Sequence, residues 1–310
     1  MKKLTLLGAL FMASLTVNAQ RFYLDFNFGY GFGIPGNILG EKSHTDIVNG
    51  VKYKTSSNLT GSIGNGLNLQ LTPGYMINDN FGVELGINYF IGSKTTMGQS
   101  TSSLTMSAGG LNFDNEDFSS RKDVANSSQL RIAPAVLIST GISKTVSGYA
   151  KLGIIMPLMG STIVNTSVKN AHLVSGEIVR DDVKVKTEIS GAPSFGFKGA
   201  LGINYNITDN LSIFGEVFAA SLNIKQKSRK TQSYKIDGQE IIETLPAYNK
   251  DILYVDELTP ESNNGDISTT DPSYSSTKDI TAAKQELFQK TSFSQMGFQL
   301  GIKYTFSGKK

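Results

Sequence analysis

The chain has 310 residues, a formal net charge of +3, no cysteine and no tryptophan. So small an excess of positive charge gives no electrostatic footprint for a nucleic-acid partner. The lack of thiols excludes disulfides, thiolate chemistry and a lipid anchor on cysteine.

The first residues have the form of a secretory signal. Lys2 and Lys3 precede the apolar run Leu4 to Leu15, and Val17-Asn18-Ala19 suits cleavage between Ala19 and Gln20. That run is too short for the ~20 residues of a membrane-spanning helix. Removal of residues 1–19 takes away two lysines, so the formal charge falls from +3 to +1 on residues 20–310, which are expected to form one domain.

Beyond the signal the pattern is alternation. From Phe22 to Ile34 every even position is apolar or aromatic, with Tyr23, Asp25, Asn27, Gly29, Gly31 and Gly33 between them. A period of two marks a strand with one apolar and one polar face. Residues 35–65 are polar and read as a loop with a hairpin tip at Asn49-Gly50. Leu67 to Ile77 and Phe81 to Ile91 alternate again around the turn Asn78-Asp79-Asn80. Each run is about the length that a tilted strand needs to cross a bilayer.

Residues 92–128 are rich in Ser, Thr, Gly, Asn and Asp and read as a long loop. Leu130 to Ile138 and Val146 to Leu158 alternate about a turn at Ser143-Lys144-Thr145, with Pro134 weakening the first as Pro73 weakens an earlier strand. Residues 159–190 form a third connection with a tip at Ser175-Gly176. Pro193 to Ile207 and Leu211 to Ala219 then alternate about Thr208-Asp209-Asn210. The fourth connection, 222–292, holds a turn at Asp237-Gly238 and, in Thr281 to Gln289, a candidate short helix. Met296 to Phe306 closes the chain.

The fold expected is all-β, an eight-stranded antiparallel transmembrane barrel, with ten strands possible if 222–253 holds a further pair. Three short turns alternate with four long connections, the asymmetry of barrels with tight periplasmic turns and long extracellular loops. Both chain ends are then periplasmic and the lipid-facing band is apolar.

Asn-Ala-Gln at the end of the signal, the aromatic first strand, GYMINDNFGVELGINYF and the closing MGFQLGIKYTF together resemble the outer-membrane β-barrel proteins common in Bacteroidota. Their architecture is similar to that of OmpA/OmpX-type eight-stranded barrels. The resemblance implies an integral outer-membrane protein, embedded in lipid and lipopolysaccharide, whose terminal aromatic is read by the barrel-assembly machinery. Phe306 matches that aromatic, although Ser307-Gly308-Lys309-Lys310 follow it.

Inward positions carry Asp25, Glu84 and Glu216 and, of opposite sign, Arg131, Lys151, Lys198 and Lys303. The interior of an eight-stranded barrel is just filled by side chains, so charges there must pair. A salt-bridged plug and a narrow gated ion path both satisfy that requirement. His44 and His172 are the two histidines, both in connections. A surface hydrolase would require a carboxylate within hydrogen-bond reach of one of them. Asp114 to Asp117 clusters oxygen ligands without the spacing of a calcium loop. Lys225, Lys227, Arg229 and Lys230 form a basic stretch suited to lipopolysaccharide phosphates. The expectation is a monomer with no catalysis, metal or cofactor. It has an envelope-structural or surface-binding role through its loops toward a host or cell-surface ligand, with a small-solute or ion channel as the alternative.

Overall fold

The computed structural model describes residues 22–108, 111–141, 145–174, 177–264 and 279–306; the side chains of 106–108, 111–116, 173, 177 and 178 are not described. The signal with its cleavage pair Ala19 and Gln20, the middle of the second short turn, and Ser175-Gly176 therefore lie outside the described residues.

Among the described residues there are seventeen strands. In chain order they begin with β1 (Phe22–Gly33), β2 (Ile38–Val48), β3 (Val51–Thr60), β4 (Gly66–Met76), β5 (Phe81–Gly92) and β6 (Thr95–Ala108). Next come β7 (Leu111–Gly141), β8 (Val146–Val174), β9 (Glu177–Gly191), β10 (Gly196–Asn206), β11 (Leu211–Ser221), β12 (Asn223–Ile236) and β13 (Gln239–Glu240). A 3-10 turn (Ile242–Thr244) and the short helix α1 (Ala247–Lys250) precede β14 (Asp251–Val255), β15 (Lys284–Leu287), β16 (Lys290–Ser292) and β17 (Gln295–Thr305).

The count is larger than the expected eight or ten, because connections read as loops are largely β. Residues 95–108 and the first half of β7 pair through most of the stretch taken as a loop. Thr281 to Gln289 contains β15, paired in parallel with β14, and not a helix. A four-residue strand with an existing edge to join wins over a nine-residue helix, which is too short to be stable alone. The two hairpin tips behave as expected. Asn49-Gly50 and Asp237-Gly238 all have positive φ, the conformation a type I′ turn requires.

The ladders define a circuit. β1 pairs antiparallel with β4 on one edge and β17 on the other. From β4 the pairing runs through β5, β7, β8, β10 and β11 to β17, and so returns to β1. The remaining strands leave the circuit at one end: β2 joins β3 and β6, β9 joins β8, and β12 joins β9, β14 and β16. The other end holds the short turns. Ser139 N–H bonds to Asn80 O, Asn206 N–H to Thr145 O, Thr305 N–H to Asn210 O and Phe306 N–H to Phe22 O, so the turns share one rim with Phe22 and Phe306, the first and last described residues.

Burial is inverted relative to a water-soluble fold. Along β1, β4 and β5 the polar and glycine positions are buried, while the large apolar residues between them are exposed. Phe26, Phe28, Leu69, Val83, Leu201, Ile213, Phe298 and Ile302 all lie on the outside. Inside, the turn half of the ring is mainly polar, with a small apolar cluster of Leu137, Tyr149 and Phe214 beside the turns. The other half is capped by an apolar cluster that includes Ile63, Phe90, Ile155, Leu222 and Phe293.

Candidate functional site

Strand parity directs the seven predicted charges toward the ring interior, and Lys151 is the point where the three carboxylates meet. Its Nζ lies 3.2 Å from Glu84 Oε2, 3.3 Å from Glu216 Oε2 and 3.8 Å from Asp25 Oδ2. These partners come from β8, β5, β11 and β1, so the ion pairs span the lumen and do not run along one strand. Lys303 Nζ stands 3.8 Å from the same Asp25 oxygen. Lys198 donates to Gln70 Oε1 at 2.8 Å. Arg131 sits apart, one tier toward the apolar cap. It donates to Gln129 Oε1 at 2.8 Å, and its guanidinium lies 4.0 Å from the Phe90 ring centroid.

Two tyrosines complete the cluster, and neither is among the residues that the sequence singles out. Tyr23 OH donates to Glu84 Oε1 (2.7 Å) and Tyr149 OH to Glu216 Oε2 (3.0 Å). Each ring also faces a cation, with Lys303 Nζ 4.3 Å from the Tyr23 centroid and Lys151 Nζ 5.0 Å from that of Tyr149. Each needs a glycine opposite. A Cβ at Gly74 would fall 2.2 Å from the Tyr23 ring, and one at Gly202 would fall 2.3 Å from Tyr149. An inward tyrosine facing a glycine on the neighbouring strand was the available signal. It becomes readable only once the register is known.

The space left is small. A cavity of about 20 Å3 remains among Gln70, Glu84, Lys151, Lys198 and Glu216, room for about one water molecule. Chemically, the arrangement sets four cations against three carboxylates and so offsets most of its own charge. Every cation in it has a carboxylate or a hydrogen-bond acceptor nearby, while both Asp25 carboxylate oxygens and Arg131 Nη2 have no hydrogen-bond partner among the described residues.

The other predicted residues lie elsewhere. Phe306 packs against Phe22 at the turn rim, with ring centroids 5.4 Å apart. Lys227, Arg229 and Lys230 are exposed on β12, while Lys225 pairs with Asp256. The side chains of Asp114, Asn115 and Glu116 are outside the description, and Asp117 is exposed. No group of three or more metal-ligating side chains occurs among the described residues. The histidines did find carboxylates. His44 Nε2 lies 2.9 Å from Asp46 Oδ1 and His44 Nδ1 2.8 Å from Thr101 Oγ1, while Ser103 Oγ donates to Asp46 at 2.6 Å. His172 Nδ1 is 3.5 Å from Asp181 Oδ2. The His44 set arises from register alone, since His44 faces Thr101 and Asp46 faces Ser103 across the parallel β2–β6 ladder.

An apolar skin around a hydrogen-bonded, charged interior defines a membrane β-barrel. The chain belongs to the family described as outer membrane protein beta-barrel domain, which matches residues 4–241, and it is an integral outer-membrane protein. No curated protein matches it. Among solved structures, one described as "Crystal structure of a Pseudomonas aeruginosa FadL homologue" is similar over 94% of both chains, at 10% identity and a TM-score of 0.22. A likeness at that level says nothing about substrate.

Proposed function

We propose that the circuit is an eight-stranded transmembrane barrel of OmpA/OmpX type, closed to through-flow and non-catalytic. Its work is to hold a β-rich extension outside the cell, with an envelope-structural or surface-binding role. The observation that carries this reading is Lys151 bridging three carboxylates from three other strands, with a cavity of only about 20 Å3 beside it. An ion would have to break those pairs to pass. The turn rim, which holds both described chain ends, faces the periplasm. The long strands β7 and β8 run on beyond the bilayer to carry β2, β3, β6, β9 and β12–β16. Lipopolysaccharide meets the exposed basic residues of β12, Phe306 serves recognition by the assembly machinery, and the barrel acts as a monomer. Single-channel recording in planar bilayers tests the reading: pure protein gives no reproducible conductance, and steady unitary events would replace the plug with the channel.

A second reading, a surface hydrolase, rests on the Thr101–His44–Asp46 contacts. Both His44 and Asp46 are about half exposed on an open strand face. A fluorophosphonate reagent distinguishes it. Labelling of Thr101 or Ser103 that disappears in His44→Ala would establish a hydrolase, and no labelling leaves a polar cross-strand ladder.

A further inference from the structure

The barrel wall is broken beside β8. The β7–β8 ladder slips between Leu130↔Met159 and Arg131↔Pro157, so Leu158 is a bulge with no residue opposite. On its other edge β8 pairs with β10 only as far as Ile155↔Gly196, and with β9 only from Ser161↔Ser190. Residues 156–160 thus have no ladder partner on that edge, and 192–195 lie between two strands. Pro157 and Pro193 stand on the two banks, and neither has an N–H to bridge them. The second bank also turns away. Ala192 N–H donates to Lys225 O at 2.7 Å, and Lys225 N–H donates to Ser194 Oγ at 3.3 Å.

Behind the break is a cavity of about 350 Å3, within the size range of small-molecule sites. Its floor includes Ile63, Ile224 and Phe293 from the buried apolar cap. Leu158 and Met159 lie at its mouth, fully on the outside like Phe195 across the gap, so the opening is continuous with the lipid-facing band. One polar atom beside it is unmatched and covered. Gln226 is 7% exposed and its Nε2 donates to Thr291 Oγ1 at 3.0 Å, yet its Oε1 has no protein partner. A buried acceptor without a donor is costly, and a donor arriving in the adjoining cavity would reach it once the Gln226 side chain turns toward that space.

We propose that this break is a lateral binding site for a single acyl chain arriving from the outer leaflet, with a hydrogen-bond donor on that chain reaching Gln226 Oε1. The apolar mouth selects the bilayer as the source, because a ligand from water would cross exposed Leu158 and Met159 first. The site rests on the reading of the circuit as a membrane barrel but is independent of the plug, which lies in the turn half of the ring.

The test uses the full chain in phosphatidylcholine nanodiscs, with a diazirine-bearing analogue of dodecan-1-ol as photo-cross-linker. Adducts are expected to concentrate on 157–162 and 189–193. Excess dodecan-1-ol should suppress them, and its methyl ether, which lacks the donor, should do so less well. Ala192→Trp fills the mouth and should reduce the adducts about tenfold, a loss of about 1.4 kcal/mol of binding. Gln226→Leu should retain labelling while the alcohol and the ether compete equally. Both variants must keep the fast migration of a folded barrel on unboiled gels. Labelling spread evenly over β1, β4 and β17, or unchanged in folded Ala192→Trp, would overturn the site. Failure of the protein to enter the discs would overturn the membrane reading and the site with it.

Discussion

Lys151 faces Asp25, Glu84 and Glu216 together, so replacing it with methionine leaves three carboxylates buried with one fewer cation. Breaking a buried ion pair from one side costs about 3–5 kcal/mol, far more than the pair itself contributes. Lys151→Met should therefore lower the urea midpoint of the micelle-refolded protein by a corresponding amount. Tyr23→Phe removes a single hydroxyl from Glu84 and should cost about 1–3 kcal/mol. A Lys151→Met protein as stable as its parent would show that the carboxylates have another source of compensation. The positions of the charges were legible in the sequence because strand parity alone determines which residues point inward. Their partners were not. Tyr23 reads as one more aromatic in an aromatic strand, and the fit of its ring over Gly74 depends on the β1–β4 register.

Elements were legible in proportion to the contrast between their faces. β1, β4, β5 and β17 alternate between apolar and polar or glycine residues, and their expected bounds lie within a residue or so of those observed. β2, β3 and β6 have little such contrast. In β3 nearly every residue is exposed on either face, so a period of two leaves no mark on hydrophobicity. Their cohesion is polar. The β2–β6 pair is joined by Ser103 on Asp46 and by His44 on Thr101, and the Ser103 hydrogen bond, followed by that from His44, holds the Asp46 carboxyl below the usual carboxylate range. A carboxyl lowered on folding stabilises the pair above its unfolded value of about 3.9, and that contribution is lost as pH falls through the lower folded value. Protection of the amides over 99–105, taken relative to the intrinsic exchange rate at each pH, should therefore fall below about pH 4, and Asp46→Asn should flatten the dependence. Protection in the parent that is unchanged with pH through this range would remove Asp46 as the clasp. At the other rim the turn after β4 is held by Asn78 Oδ1, which accepts from the N–H groups of Asn80 (2.9 Å) and Phe81 (2.8 Å). Asn78→Ala should cost about 1 kcal/mol, measured in the same urea titration. No measurable change would mean that the strands alone hold the turn.

At the scale of the molecule, the alternation of short turns with long connections pointed to a ring, and the ladders return from β17 to β1. The break beside β8 was not legible, because one bulged residue shifts parity without interrupting an apolar run that already contains Pro157, Leu158 and Met159. The ring and the extension differ in how much each depends on the other. β2 pairs with β3 on one edge and with β6 on the other, and none of the circuit strands takes part in those ladders. The ends of this hairpin are already adjacent, since Gly61 N–H donates to Asn37 O at 2.9 Å. Closing a loop there with two or three glycines costs little, because closure entropy depends only weakly on length. A chain that lacks residues 38–60 should therefore still migrate faster unboiled than boiled on a detergent gel. Its urea midpoint should be close to the parent value, and β6 should become more accessible to protease. Loss of the heat-dependent shift on that excision would make the hairpin part of the unit that folds, and the extension would no longer be separable from the barrel that carries it.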